Sequence, residues 1–354
     1  MSSHSDYSYS YKIHDFCNIS SDYLLPDLSF FTETFSDNDI CNIHLSRGLL
    51  DNYNLDGFKK VGDSFFYNAH DDEFISKLHW MGFKWNFLVK GLLQKSPISL
   101  VLDLGFLEKF WLRPPFMKVN ILLRIFIHLQ LLSKNLTFIH SASIVKNENC
   151  IIIPAFSNTG KTSTCLDFVT KRNGLIMSDD TVIVNDSGYC FAYPSPLSIS
   201  LATYRSFSNF LSSSSINGSK LYLMDLFSKI IPPPLTNNQI SLPLENLIDN
   251  YSIPKKSRIN AICMIQDGEG KVEELDPYVA AKKILSLARS EFFWRTHPII
   301  QSYSYCNPSF DIASIETRED DIINSLVSNI DKIYLLSGKP DQFPVLIDKI
   351  FNTL

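Results

Sequence analysis

Residues 151–168, IIIPAFSNTGKTSTCLDF, pass from an unbroken apolar run through a small polar loop into a segment of helical composition. This order constrains the chain more than any other stretch, because a buried strand that delivers a loop to a helix N-terminus belongs in an α/β layer. The loop, Ala155-Phe156-Ser157-Asn158-Thr159-Gly160-Lys161-Thr162, is one residue short of the pattern G-x-x-x-x-G-K-[ST], with alanine at the first glycine. In such a loop, backbone N–H groups wrap anionic oxygens and the helix N-terminus adds favourable partial charge. Gly160 permits close approach, Lys161 reaches β- and γ-phosphates, and the Thr162 hydroxyl can ligate Mg2+. Alanine fits at 155 if φ stays negative, and asparagine, as at 158, enters the left-handed region readily. The candidate phosphate-binding set is therefore Ala155, Ser157, Asn158, Thr159, Gly160, Lys161, Thr162 and Ser163. The bland alternative is a strand–helix turn with a chance Gly-Lys-Thr.

Two neighbouring stretches bear on the choice. LTFIHSASIV (136–145) and CIIIPA (150–155) are β-prone runs joined by Lys146-Asn147-Glu148-Asn149, which predicts an antiparallel hairpin. Pairing Val145 with Cys150 places His140 opposite Ala155, beside the loop mouth; a slip of one residue would turn the ring to the other face. After the loop, a helix over 161 to about 172 is predicted to stop at Asn173-Gly174. LIMSDDTVIV then supplies a strand, Asp179 and Asp180, and a second strand. An acid at the end of that returning strand would face the edge that carries the loop and serve Mg2+. Two surface turn carboxylates are the alternative.

The rest of the chain reads as follows. Residues 1–115 alternate short apolar runs with polar turns (CNIS, DICNIHLS, SFFYNA), which predicts a small β-rich N-terminal domain ahead of a domain spanning 116–354. A loop at Arg113-Pro114-Pro115 leads to a helix over 116–133. Within it, VNILLRIFIHLQLL is too short to span a bilayer, and Asn120, Arg124, His128 and Gln130 interrupt it. Residues 205–257, with SSSS at 212–215 and PPP at 232–234, predict long loops with one or two helices, a candidate lid or substrate-facing segment. A core strand is expected over 259–265 and an amphipathic helix over 277–290. The aromatic stretch SEFFWRTHP (290–298) either borders a substrate surface or packs against the core. A net charge of −5 gives no sign of the concentrated basic face that nucleic-acid binding needs, and 45% hydrophobic content supports a sizeable core. Seven scattered cysteines without a C-x-x-C pair predict reduced thiols and a cytoplasmic location; the polar start predicts no secretory leader. The histidines and cysteines form no zinc-like set.

The combination FIHSASIV, AFSNTGKTS and LIMSDDTVIV resembles the catalytic domain of HPr kinase/phosphorylase and its wider set of HPr-kinase-like P-loop proteins. The matching residues are His140, then Ser157, Gly160, Lys161 and Thr162, then Asp179 and Asp180, and the resemblance covers roughly residues 136–290. Arg258 is the weaker match to an arginine in a Pro-Gly-Arg-Asn turn. The resemblance implies an α/β (α+β) fold, a mixed sheet flanked by helices behind the β-rich N-terminal domain. It implies an ATP- and Mg2+-dependent kinase that phosphorylates a hydroxyl, serine above all, of a protein or peptide. Asp179 would take the acceptor's proton, Asp180 would hold metal with Thr162 or align that base, and His140 would support the acid pair or the γ-phosphate. Two loop glycines are replaced, by Ala155 and Asn158, and the family's E-[IV]-R-G-x-G segment has no counterpart after Asp180. These departures point away from HPr as acceptor and from phosphorolysis, and they leave homo-oligomerisation open. Two other functions stay open: a nucleotide-binding regulatory or assembly protein, and a small-molecule kinase related to phosphoenolpyruvate carboxykinases.

Overall fold

The computed structural model describes residues 9–36, 39–80, 83–93, 97–104, 119–207, 239–242 and 252–354. The Arg113-Pro114-Pro115 loop, the SSSS and PPP runs and most of the segment expected to form a lid lie outside them. The chain divides into two compact units, Met1–Lys134 with Phe292–Arg318, and Asn135–Glu291 with Glu319–Leu354. A boundary at 115/116 differs from this division in two places: the helix Val119–Ser133 and the segment 292–318 both belong with the first unit. Linear composition does not reveal a chain that returns to an earlier unit after 150 residues or so.

In the first unit, β1 (Tyr9–Ile13), β2 (Cys17–Ser21), β3 (Ile43–Arg47), β4 (Lys59–Val61), β5 (Phe65–Asn68), β6 (Glu73–Trp80), β7 (Phe83–Lys90) and β8 (Ile98–Leu104) form one mixed sheet. Its order is β1-β2-β3-β8-β7-β6-β5-β4. Strand alternation sorts the core: Ile75 and Leu88 pair across strands and cluster with Leu50 on one face. Phe74, from the opposite face, meets Tyr303 edge-on at 6.0 Å. The Tyr303 hydroxyl donates to Asp72, and Asn307 donates to the Tyr67 hydroxyl at 2.5 Å, so the helix Pro298–Cys306 is tied to the sheet. The Val119–Ser133 helix buries eight side chains, Leu122 through His128 and Leu131–Leu132 except Arg124. His128 lies edge-on to Phe292 and Trp294, so these two aromatic side chains pack against the core, while Phe293 is exposed.

The second unit is built on β9 (Leu136–Lys146), β10 (Asn149–Pro154), β11 (Leu175–Ser178), β12 (Thr181–Asn185), β13 (Tyr189–Ala192), β16 (Lys256–Asp267), β17 (Lys271–Glu274) and β18 (Lys332–Gly338). A separate ribbon pairs β14 (Leu197–Ser200) with β15 (Gln239–Leu242). The β9–β10 hairpin has the expected register, Val145 to Cys150, and its two-residue turn, Asn147-Glu148, carries φ of 50° and 66°, the turn that matches strand twist. β10 lies between β9 and β16, parallel to β16, which is in turn parallel to β18. Ile151, Ile152 and Ile153 are fully buried, which explains an apolar run without alternation. Because β11 and β10 both run antiparallel to β9, they are parallel to each other and end at one edge. The helix Lys161–Lys171 follows β10 and closes where expected: Asn173 takes φ 55° and the Gly174 N–H bonds the Phe168 carbonyl at 3.0 Å. The helix Pro277–Glu291 buries Ala280, Ala281, Ile284, Leu285, Leu287 and Ala288. The overall class is mixed α/β, two large mixed sheets flanked by helices. Among the described residues no helix is long and apolar enough to cross a membrane.

Candidate phosphate-binding site

The site lies at the carboxyl ends of the parallel strands, where open α/β sheets place their ligands. Ala155, 3% exposed, keeps a negative φ, so the missing first glycine costs the turn nothing. Asn158 takes φ 64° and Gly160 φ 107°. Gly160 is required twice over. Besides its φ, a Cβ there would lie 2.9 Å from Pro340 Cβ and 3.2 Å from Pro340 Cα, in the loop after β18. Thr159 Oγ1 donates to the Phe156 carbonyl at 2.7 Å, and Ser157 Oγ to Glu291 Oε1 at 3.3 Å. Ser163 lies in the first turn of the helix, behind Lys161 and Thr162.

Lys161, 6% exposed, directs its ammonium to three acceptors: the Ala155 carbonyl at 2.7 Å, the Phe156 carbonyl at 3.0 Å and His140 Nε2 at 2.9 Å. Burial lowers its pKa from the ordinary value, while Asp180, Asp179 and Glu291 oppose the shift. An ammonium at Nε2 makes that nitrogen the acceptor, so the proton of neutral His140 is on Nδ1, which faces Asp180 Oδ1 at 3.5 Å. The hairpin register thus delivers His140 where the sequence placed it.

The two aspartates differ. Thr162 Oγ1 donates to Asp179 Oδ2 at 2.9 Å, and Asp179 is 7% exposed with Oδ1 lacking a hydrogen-bond partner. Burial pushes its carboxyl up to about 6, and Asp180's charge adds to the shift; Thr162, Lys161 and the buried Cys165 thiol pull the other way. Asp180 has a side chain 45% exposed and accepts from Thr181 Oγ1 at 3.1 Å. Loop amides, an ammonium, a hydroxyl and a buried carboxylate beside it are chemically compatible with a metal-complexed polyphosphate.

Glu291 and Pro340 are members of the site that no motif marks. Glu291 ends a helix whose pattern signals only burial, and Pro340 lies far along the chain from the glycine it covers. Arg258 is not a member. It sits inside β16, paired with Tyr189 and next to Ile259, which pairs with Cys150 at the start of β10. It therefore occupies the end of the sheet opposite the loop, not a turn at the site. The chain matches no protein-family model and no curated protein.

Proposed function

We propose that the chain is an ATP-dependent kinase that phosphorylates a hydroxyl, serine above all, of a protein or peptide. One observation carries the reading: the Thr162–Asp179 hydrogen bond at 2.9 Å, which joins the phosphate-binding loop to the acid pair on one sheet edge. The residues fit Mg2+, since Asp179 Oδ1 is buried without a partner beside the Thr162 hydroxyl. Thr162 and Asp179 would hold that ion, which supplies charge neutralisation on the polyphosphate. The loop amides and Lys161 bind and orient the phosphates. Asp180, the more open carboxylate, takes the proton of the acceptor hydroxyl, with His140 Nδ1–H aligning it. These roles reverse those given to the two aspartates by the family resemblance, because the buried one is already tied to the metal-side threonine.

Lys161 turned onto two loop carbonyls favours a second reading, nucleotide binding without transfer. Mg·ATP binding to wild type and Lys161→Ala tests both. Equal, weak binding removes them together; wild-type binding with no transfer of labelled phosphate to candidate proteins leaves the second. With a phosphorylated acceptor in hand, Asp180→Asn is expected to abolish turnover while leaving Mg·ATP binding within about threefold, as befits a group acting only in the transition state. Full activity in Asp180→Asn removes its role as base.

A further inference from the structure

The loop carries more negative charge than an anion site needs. Lys161 stands against three carboxylates, Asp179, Asp180 and Glu291, all of which act on its ammonium. Asp179 and Asp180 have tasks in the proposed reaction; Glu291 does not. Yet Glu291, from a helix outside the strand–loop–helix unit, accepts the hydrogen bond of the Ser157 hydroxyl, and its Oε1 lies 3.8 Å from His140 Nε2. Its side chain is 28% exposed, buried enough for its charge to be felt and open enough to meet an arriving ligand.

We propose that Glu291 is a positioning and specificity-determining residue of this site: it fixes the phosphate-binding loop through Ser157 and disfavours polyphosphate that arrives without a divalent cation. This rests on the nucleotide reading. All three ammonium protons of Lys161 have acceptors within the protein, so reaching a phosphate requires the lysine to leave at least one of them. The Glu291 carboxylate opposes that step by stabilising the ammonium where it already lies, and it repels a bare polyanion directly. A cation complexed to the phosphates offsets both effects. Loop fixing and charge selection are separable by substitution: Glu291→Gln keeps an oxygen for the Ser157 hydroxyl and removes the charge, whereas Glu291→Ala removes both.

The test is equilibrium binding of ATP to the intact chain in EDTA and in excess Mg2+, for wild type and both variants. It is joined to amide hydrogen exchange over residues 155–163 without nucleotide, with thermal unfolding as the check on folding. In EDTA, Glu291→Gln is expected to bind ATP roughly three- to tenfold tighter than wild type, the effect of one partly exposed charge. In Mg2+ the two should agree within about twofold, because the cation already offsets the charge. Glu291→Ala alone is expected to speed exchange of the loop amides. An unchanged EDTA affinity in Glu291→Gln overturns the charge selection, and unchanged exchange in Glu291→Ala overturns the loop fixing. Wild-type protein that binds no Mg·ATP removes the nucleotide reading and the charge selection with it; the exchange data still decide whether Glu291 holds the loop.

Discussion

Gly160→Ala puts the packing of the 155–162 loop to a quantitative test. The residue has φ 107°, which an L side chain adopts at a cost of about 1–3 kcal/mol. The new methyl would also stand 2.9 Å from Pro340 Cβ and 3.2 Å from Pro340 Cα, contacts with a rigid ring and backbone that cannot rotate away. Overpacking of this kind adds about 1–3 kcal/mol, giving about 2–6 kcal/mol in total. Gly188→Ala is the matched control in the same unit. Its φ is 83°, but its Cβ would meet only Ile330 Cδ1 at 3.6 Å, an ordinary contact, so backbone strain alone applies. Both variants are to be compared with wild type by urea unfolding at pH 7, with thermal unfolding alongside. For a unit of this size each kcal/mol lowers Tm by roughly 2–4 °C, so Gly160→Ala should melt clearly below Gly188→Ala. Adding Pro340→Gly to Gly160→Ala removes one of the two clashes and should recover about 1 kcal/mol beyond additivity. Equal destabilisation of Gly160→Ala and Gly188→Ala, with no coupling to Pro340, would refute the contact between the two loops.

The remaining predictions concern buried polar groups. The Asp179 carboxyl, raised to about 6 from 3.8 by burial, holds its proton more tightly when folded. The stability it contributes is full below the unfolded pKa and is lost as pH rises through the folded one, by about 3 kcal/mol at most. In EDTA, Asp179→Asn should therefore be more stable than wild type near pH 8, with the gap closing towards pH 4; parallel stability–pH curves would count against this. Thr162→Val removes the hydroxyl that Asp179 accepts from and should cost about 1–3 kcal/mol at neutral pH, read by urea unfolding. Tyr303→Phe leaves buried Asp72 without that donor and should cost the first unit a similar amount, about 1–3 kcal/mol, by the same assay. Cys41 and Cys306, the two part-exposed thiols, should react with a thiol reagent before the five buried ones, which are released by denaturant.

Local order made much of the site legible in the sequence. The His140–Lys161 contact follows from a two-residue turn and strand pairing, which fix register over the few residues between them. The acid pair follows from one short returning strand. Asn158 could be placed because few residues tolerate the left-handed backbone. What stayed hidden was set by long-range packing. Glu291 reaches Ser157 across 134 residues of chain, and Pro340 meets Gly160 only because β18 runs parallel to β16 beside β10. The different environments of Asp179 and Asp180, one tied to Thr162 and the other to His140, arise from which side of a single turn each occupies. Arg258 shows the converse. A matching residue type close to the right place in order along the chain sits at the wrong end of its strand.

The return of residues 292–318 to the first unit has a consequence for biosynthesis. A ribosome that has released only the eight N-terminal strands has made a sheet whose Phe74 face still awaits Tyr303 and Phe310. That face stays greasy and sticky until some two hundred further residues have emerged. A fragment cut after the helix ending at Ser133 would keep the exposed aromatic surface for good, so it is a poor choice for producing this region alone; a piece that rejoins 292–318 by a short linker is a better one.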